Sequence, residues 1–199
     1  MRKAIPAFIF CFAIGTFLSC AQGANNEKSL ESGTAGKGDP GYTYKITIEK
    51  MQFNWIIEDK NLRVKLKAQT AGWVGIGFSP TKGMKDANFV LGFVENGVAT
   101  VSNQHGTAPT LHMKNIDLGG ANHVMNPSGA EKNNETEISF AFPFSTGDEL
   151  DRPIIVNGDT SILLAYGQAK QLAQVHLFRA KLKVNLSNGK YSVLLMTGK

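Results

Sequence analysis

From Tyr42 onward, the apolar residues of this chain return at every second position. In Tyr42-Thr43-Tyr44-Lys45-Ile46-Thr47-Ile48-Glu49 they fall on one parity and the polar residues on the other, which predicts a half-buried strand. Leu62-Arg63-Val64-Lys65-Leu66-Lys67-Ala68-Gln69 repeats the pattern. Between the two, Met51, Phe53, Trp55 and Ile57 keep the alternation, and Glu58-Asp59-Lys60-Asn61 supplies a hairpin turn. Further strands are predicted at Trp73 to Phe78, at Phe89 to Val94 paired with Val98 to Ser102, and at Thr136 to Phe144. Ser161 to Tyr166, His176 to Leu186 and Tyr191 to Met196 complete the set. Asn96-Gly97 is a strong hairpin signal because both residues tolerate positive φ, and Ser187-Asn188-Gly189 marks another turn. No window carries a helical period. Short strands separated by turns, without intervening helices, predict an all-β, antiparallel sandwich or barrel.

The stretch before this body has a different character. Arg2 and Lys3 open the chain, Ala4 to Leu18 is largely apolar, and Ser19 precedes Cys20. This is the layout of an export signal, and the run is too short to span a bilayer comfortably. A cysteine at the cleavage point predicts a lipoprotein: residues 1–19 form the signal and Cys20 carries the lipid. The alternative is an ordinary cleaved signal with an incidental cysteine. Residues 20–40 are polar, rich in Gly, Ser and Asn and free of aromatics, as in a flexible tether. Residues 41–199 then form one domain. The expected location is a cell membrane or outer membrane, facing periplasm or cell surface, with membrane contact through the lipid on Cys20.

Composition narrows the chemistry. Once the signal has left, the chain carries 19 basic against 16 acidic residues, too mild an excess to favour nucleic acid. Cys11 and Cys20 are the only cysteines, so the folded body has neither a disulfide nor a thiolate metal site. Nucleophile elbows, phosphate loops and zinc-protease motifs are all missing, and an independent enzyme is not expected.

Three stretches do not follow from strand patterning alone. In Trp73-Val74-Gly75-Ile76-Gly77-Phe78 two glycines share one face of an apolar strand, which marks either a tight crossing of sheets or a place where a ligand lies. The loop Ser79 to Asp86 holds a lone methionine, Met84. It is either a loop anchor tucked onto the core or a soft axial metal ligand. Counting by twos from Phe178, His176 opens the buried face of its strand, as a satisfied core residue or as a ligand at the mouth of the sandwich. His105, His112 and His123, with Met113 and Met125 nearby, match no compact ligand set and are read as solvated loop residues. Asp148, Glu149 and Asp151 are read as a solvated turn.

These residues resemble the DOMON family, β-sandwich domains found in dopamine β-monooxygenase-like proteins, haem-binding cytochrome domains and many bacterial exported proteins. The resemblance spans nearly all of Tyr42 to Leu186. It rests on Gly72 to Ser79, on Asp86-Ala87-Asn88-Phe89-Val90-Leu91-Gly92-Phe93, and on Ile138-Ser139-Phe140 through Ala165-Tyr166-Gly167. It implies an immunoglobulin-like two-sheet fold. Haem-binding relatives place a methionine after the Gly-Trp strand and a histidine near the start of a late strand, where Met84 and His176 stand. The resemblance therefore implies b-type haem held by these two residues, electron transfer to a redox protein partner, and apolar walls from Phe53, Trp55, Trp73, Phe78 and Phe178. Lys82 or Lys85 would pair with haem propionates. The alternative is a non-haem module that binds a carbohydrate or a protein.

Overall fold

The computed structural model describes residues 30–198. The signal, Cys20 and the first part of the tether lie outside the described residues. The strands in chain order are β1 (Glu31–Thr34), β2 (Gly36–Lys37), β3 (Tyr44–Ile48), β4 (Met51–Glu58), β5 (Asn61–Ala68), β6 (Val74–Phe78) and β7 (Asn88–Glu95). They continue as β8 (Val98–Ala108), β9 (Leu111–Lys114), β10 (Met125–Lys132), β11 (Glu135–Pro143), β12 (Asp159–Tyr166), β13 (Phe178–Asn185) and β14 (Lys190–Gly198). A single turn of 3-10 helix, Asn115–Leu118, follows β9.

Every described pairing is antiparallel. One sheet runs β1-β14-β13-β12-β6-β7-β8-β9 and the other β10-β11-β5-β4-β3-β2. The two pack face to face as a β-sandwich, the architecture the period-two pattern predicts. Alternation does the work: β5 and β11 each bury every second residue. From one sheet these contribute Leu62, Val64, Leu66, Ile138, Phe140 and Phe142, which meet Val74, Ile76, Phe78, Ile162, Leu164, Phe178 and Leu182 of the other. The predicted turns close as expected, with Asp59, Asn96, Gly97 and Gly189 all at positive φ.

The tether reading needs a correction. Residues 31–37 are built into both sheets, β1 pairing with β14 and β2 with β3. Main-chain hydrogen bonds hold them, and those make no demand on side-chain hydrophobicity. Asp39 fastens the next turn: its carboxylate lies 2.6 Å from Lys65 Nζ and 3.0 Å from Lys45 Nζ. These hydrogen bonds, that of Lys65 first, hold the Asp39 carboxyl below its ordinary value.

Candidate functional site

At β6 and β7 the long sheet is buried on both faces. Its inner parity on β6 and β7, Val74, Ile76, Phe78, Val90 and Val94, enters the inter-sheet core. The outer parity makes a second cluster of Trp73, Ala87, Phe89 and Leu91, against which Met84, Phe93, Leu163, Ala165 and Leu172 pack. The glycine face of β6 lies under it. A Cβ on Gly75 would come within 2.9 Å of Leu91 Cγ, and one on Gly77 would strike the Phe89 ring. The paired glycines therefore accommodate this outer layer, and not the crossing of the two sheets.

A cleft opens in that layer. It has two adjoining compartments of about 240 and about 190 Å³. Met84, Phe89, Thr110, Leu163, Ala165 and His176 line both. Trp73 lines the smaller compartment and Arg179 and Lys181 the larger. Residues from three stretches far apart in sequence thus meet at one place.

The Met84 loop is fixed by main-chain bonds to the β8–β9 hairpin. Met84 N–H donates to the Pro109 carbonyl at 2.9 Å, Asp86 N–H to the Gly106 carbonyl at 2.7 Å, and Gly106 N–H to the Ala87 carbonyl at 2.9 Å. Within the loop, Thr81 Oγ1 donates to Asp86 Oδ2 at 2.5 Å, and this bond holds the Asp86 carboxyl below its ordinary value. Gly83 takes φ +60, and a side chain there would meet the Pro109 carbonyl. Met84 is therefore both the loop anchor and a wall of the cleft.

His176 reaches the cleft by a route that counting by twos does not give. Strand β13 begins only at Phe178, where Leu177 N–H donates to the Tyr166 carbonyl at 2.8 Å. Residues before that point are free of the strand's parity. His176 accordingly faces outward with Arg179 and Lys181, on the side opposite Phe178 and Ala180. Burial, with a smaller contribution from the Arg179 cation, pushes its imidazole below the ordinary value, which favours the neutral ring with a lone pair to offer.

Of the aromatic walls implied by the resemblance, Trp73 alone stands at the cleft. Phe53, Trp55, Phe78 and Phe178 occupy the inter-sheet core, because each carries the inner parity of its strand. Phe89, Leu163 and Ala165 take their place. Lys82 and Lys85 are exposed on the loop and bridge each other's main chain, and the cations at the cleft are Arg179 and Lys181.

The three mid-chain histidines are partly buried and hydrogen-bonded. His105 Nδ1 lies 2.7 Å from the Leu150 carbonyl, and His123 Nδ1 lies 2.8 Å from Asp151 Oδ2. Asp151 is 7% exposed. Its other oxygen accepts from the side-chain amides of Asn103 at 3.2 Å and Asn115 at 2.9 Å. Asp151 thus ties β8 and the 3-10 turn to the segment before β12. His112 is the residue that sequence reasoning missed: it lines the smaller compartment with Met84 and His176, its ring centroid 5.4 Å from that of Phe89.

Comparison with known proteins now bears on this arrangement. Residues 47–167 match the model of the DOMON domain, more than half of the chain. The chain belongs to the DOMON domain family. Met84 lies inside the matched span and His176 beyond it. DBH-like monooxygenase protein 1 of Homo sapiens is 35% identical over 66 residues, 33% of this chain and 11% of that protein. Its Mus musculus counterpart is 32% identical over 71 residues, 34% of this chain and 12% of that protein. The matched part is thus about a tenth of the length of these curated relatives.

Among solved structures, the DOMON chain resembles the cytochrome b domain of pyranose dehydrogenase from Coprinopsis cinerea. The TM-score is 0.57 at 13% identity, over 73% of this chain and 82% of that one. The cytochrome domain of cellobiose dehydrogenase from Myriococcum thermophilum gives 0.50 at 12% identity, over 84% and 87%. At these identities the likeness is one of fold.

Proposed function

We propose that this DOMON domain binds b-type haem in the outer cleft, with Met84 and His176 as axial ligands, and passes electrons to a redox partner. The observation that carries the reading is that these two residues, brought together from distant parts of the chain, line both compartments of one largely apolar cleft. The donor set suits the group. A thioether and a neutral imidazole satisfy low-spin iron, Phe89, Leu163 and Trp73 exclude water, and Arg179 and Lys181 offer cations for its carboxylates. Haem bound in this way supplies reversible one-electron chemistry, with the potential raised by the thioether. With Met84 and His176 both holding the group, the domain would serve as an electron carrier.

Purified protein produced with haem available should have a low-spin visible spectrum. Met84→Ala should lose the thioether signature and His176→Ala should lose most bound haem. A colourless protein would instead favour the competing reading, a module that recognises a carbohydrate or protein. An unchanged low-spin spectrum in the double variant would place any haem elsewhere.

The N-terminus supports an exported, membrane-anchored setting, with the lipid on Cys20 placing the domain at a cell or outer membrane. Cys20→Ala should move the protein from the membrane fraction to the soluble exported fraction. Unaltered membrane association would remove the lipid from the proposal.

A further inference from the structure

Strand β9 brings a second imidazole into the cleft. His112 shares the smaller compartment with Met84 and His176. The Met84 main chain is hydrogen-bonded to Pro109, in the turn that leads into β9, and His176 arrives on the segment entering β13.

Gln104 decides which ring nitrogen can act. Gln104 places its amide oxygen 2.5 Å from His112 Nδ1. An amide oxygen only accepts, and Nδ1 must therefore carry the proton. The lone pair is left on Nε2. A tautomer preset by a neighbour's hydrogen bond is the usual preparation of a ligating histidine.

We propose that His112 is an alternative ligand to the haem iron, its Nε2 taking the place of the Met84 thioether beside His176 in the same compartment. The inference rests on the haem reading above and adds a second ligation state to it. One cleft then supports a thioether–imidazole pair and an imidazole–imidazole pair. Replacing the thioether removes the ligand that raises the potential, so the second state is the more reducing of the two.

The test compares the haem-loaded wild type, Met84→Ala and Met84→Ala/His112→Gln by visible, near-infrared and electron paramagnetic resonance spectroscopy. Met84→Ala should remain six-coordinate and low-spin, lose the near-infrared thioether band and shift to a lower potential. The double variant should become high-spin and return to low-spin on addition of imidazole. A high-spin Met84→Ala protein, or a double variant that stays low-spin without added imidazole, overturns the proposal while leaving the wild-type haem reading intact. A colourless wild type removes both.

Discussion

Replacing Trp55 by alanine is expected to destabilise the domain by about 3–5 kcal/mol, the range for removing a fully buried large aromatic side chain. Trp55 is 0% exposed. On β4 its ring stacks on Phe53 at a centroid distance of 4.6 Å and on Tyr44 at 5.1 Å. Its Nε1 donates to the Leu186 carbonyl at 2.9 Å in the core. Alanine leaves a cavity in the inter-sheet layer and a buried carbonyl without its donor, and the second effect alone is worth roughly 1–3 kcal/mol. The upper end of the range is therefore expected. Trp55→Phe separates the two contributions, since it keeps much of the volume and loses only the hydrogen bond. Urea titration at constant m-value measures both. A loss under about 1 kcal/mol for the alanine variant would mean that the sheets close over the gap.

The same variant distinguishes the two faces of the long sheet. Trp55 packs among residues of the inner parity, and the cleft lies on the outer parity. Trp55→Phe, while folded, should therefore leave the ligand spectrum as it is. This division also explains which parts of the molecule could be read from the chain. Strands β5 and β11 bury one face only, and alternation reveals such strands completely. In β6, β7 and β12 apolar residues run continuously, as in Phe89 to Leu91 and Ile162 to Ala165. That continuity is the signature of burial on both faces. Read as ordinary strands, they gave no reason to place Phe89 or Leu163 at a site.

The missed strands have the opposite cause. Strand β10 is mostly exposed and contains Pro127, and β1 and β2 are exposed throughout. A strand that buries no side chain leaves no apolar period, and its place in the sheet rests on main-chain bonds alone. His176 failed for a related reason, because parity extends only as far as the strand's hydrogen bonds do. Met84 could be noticed because a methionine is unusual in a polar loop. His112, in a polar context, carried no such signal, and only the folding of β9 back along β8 brings it to the cleft.

Gly106→Ala should have the largest effect on the site itself. Gly106 lies on β8 directly beneath the Met84 loop. A Cβ there would collide with the Met84 carbonyl oxygen and come within 2.8 Å of its carbonyl carbon and 3.1 Å of the Ala87 nitrogen. All three are main-chain atoms and cannot swing away as the end of a side chain would, so the loop has to lift. Lifting it breaks or lengthens the bonds from Met84 to Pro109 and between Gly106 and the Asp86–Ala87 turn. The expected cost is about 1–3 kcal/mol, as for overpacking elsewhere, and Met84 is withdrawn from the cleft. Two readouts follow. The thioether band of the haem-loaded protein should disappear, and in haem-free protein the methyl resonance of Met84 should move by more than that of any other methionine. Gly97→Ala is the matching control: Gly97 has φ +77 and nothing within 4 Å of the added carbon. It should lose stability of about 1 kcal/mol from backbone strain alone and leave the Met84 resonance in place. A Gly106→Ala protein with wild-type stability and an unmoved Met84 methyl would show that the loop is not held by β8. The positioning of the ligand would then have to come from the Phe89 side of the cleft.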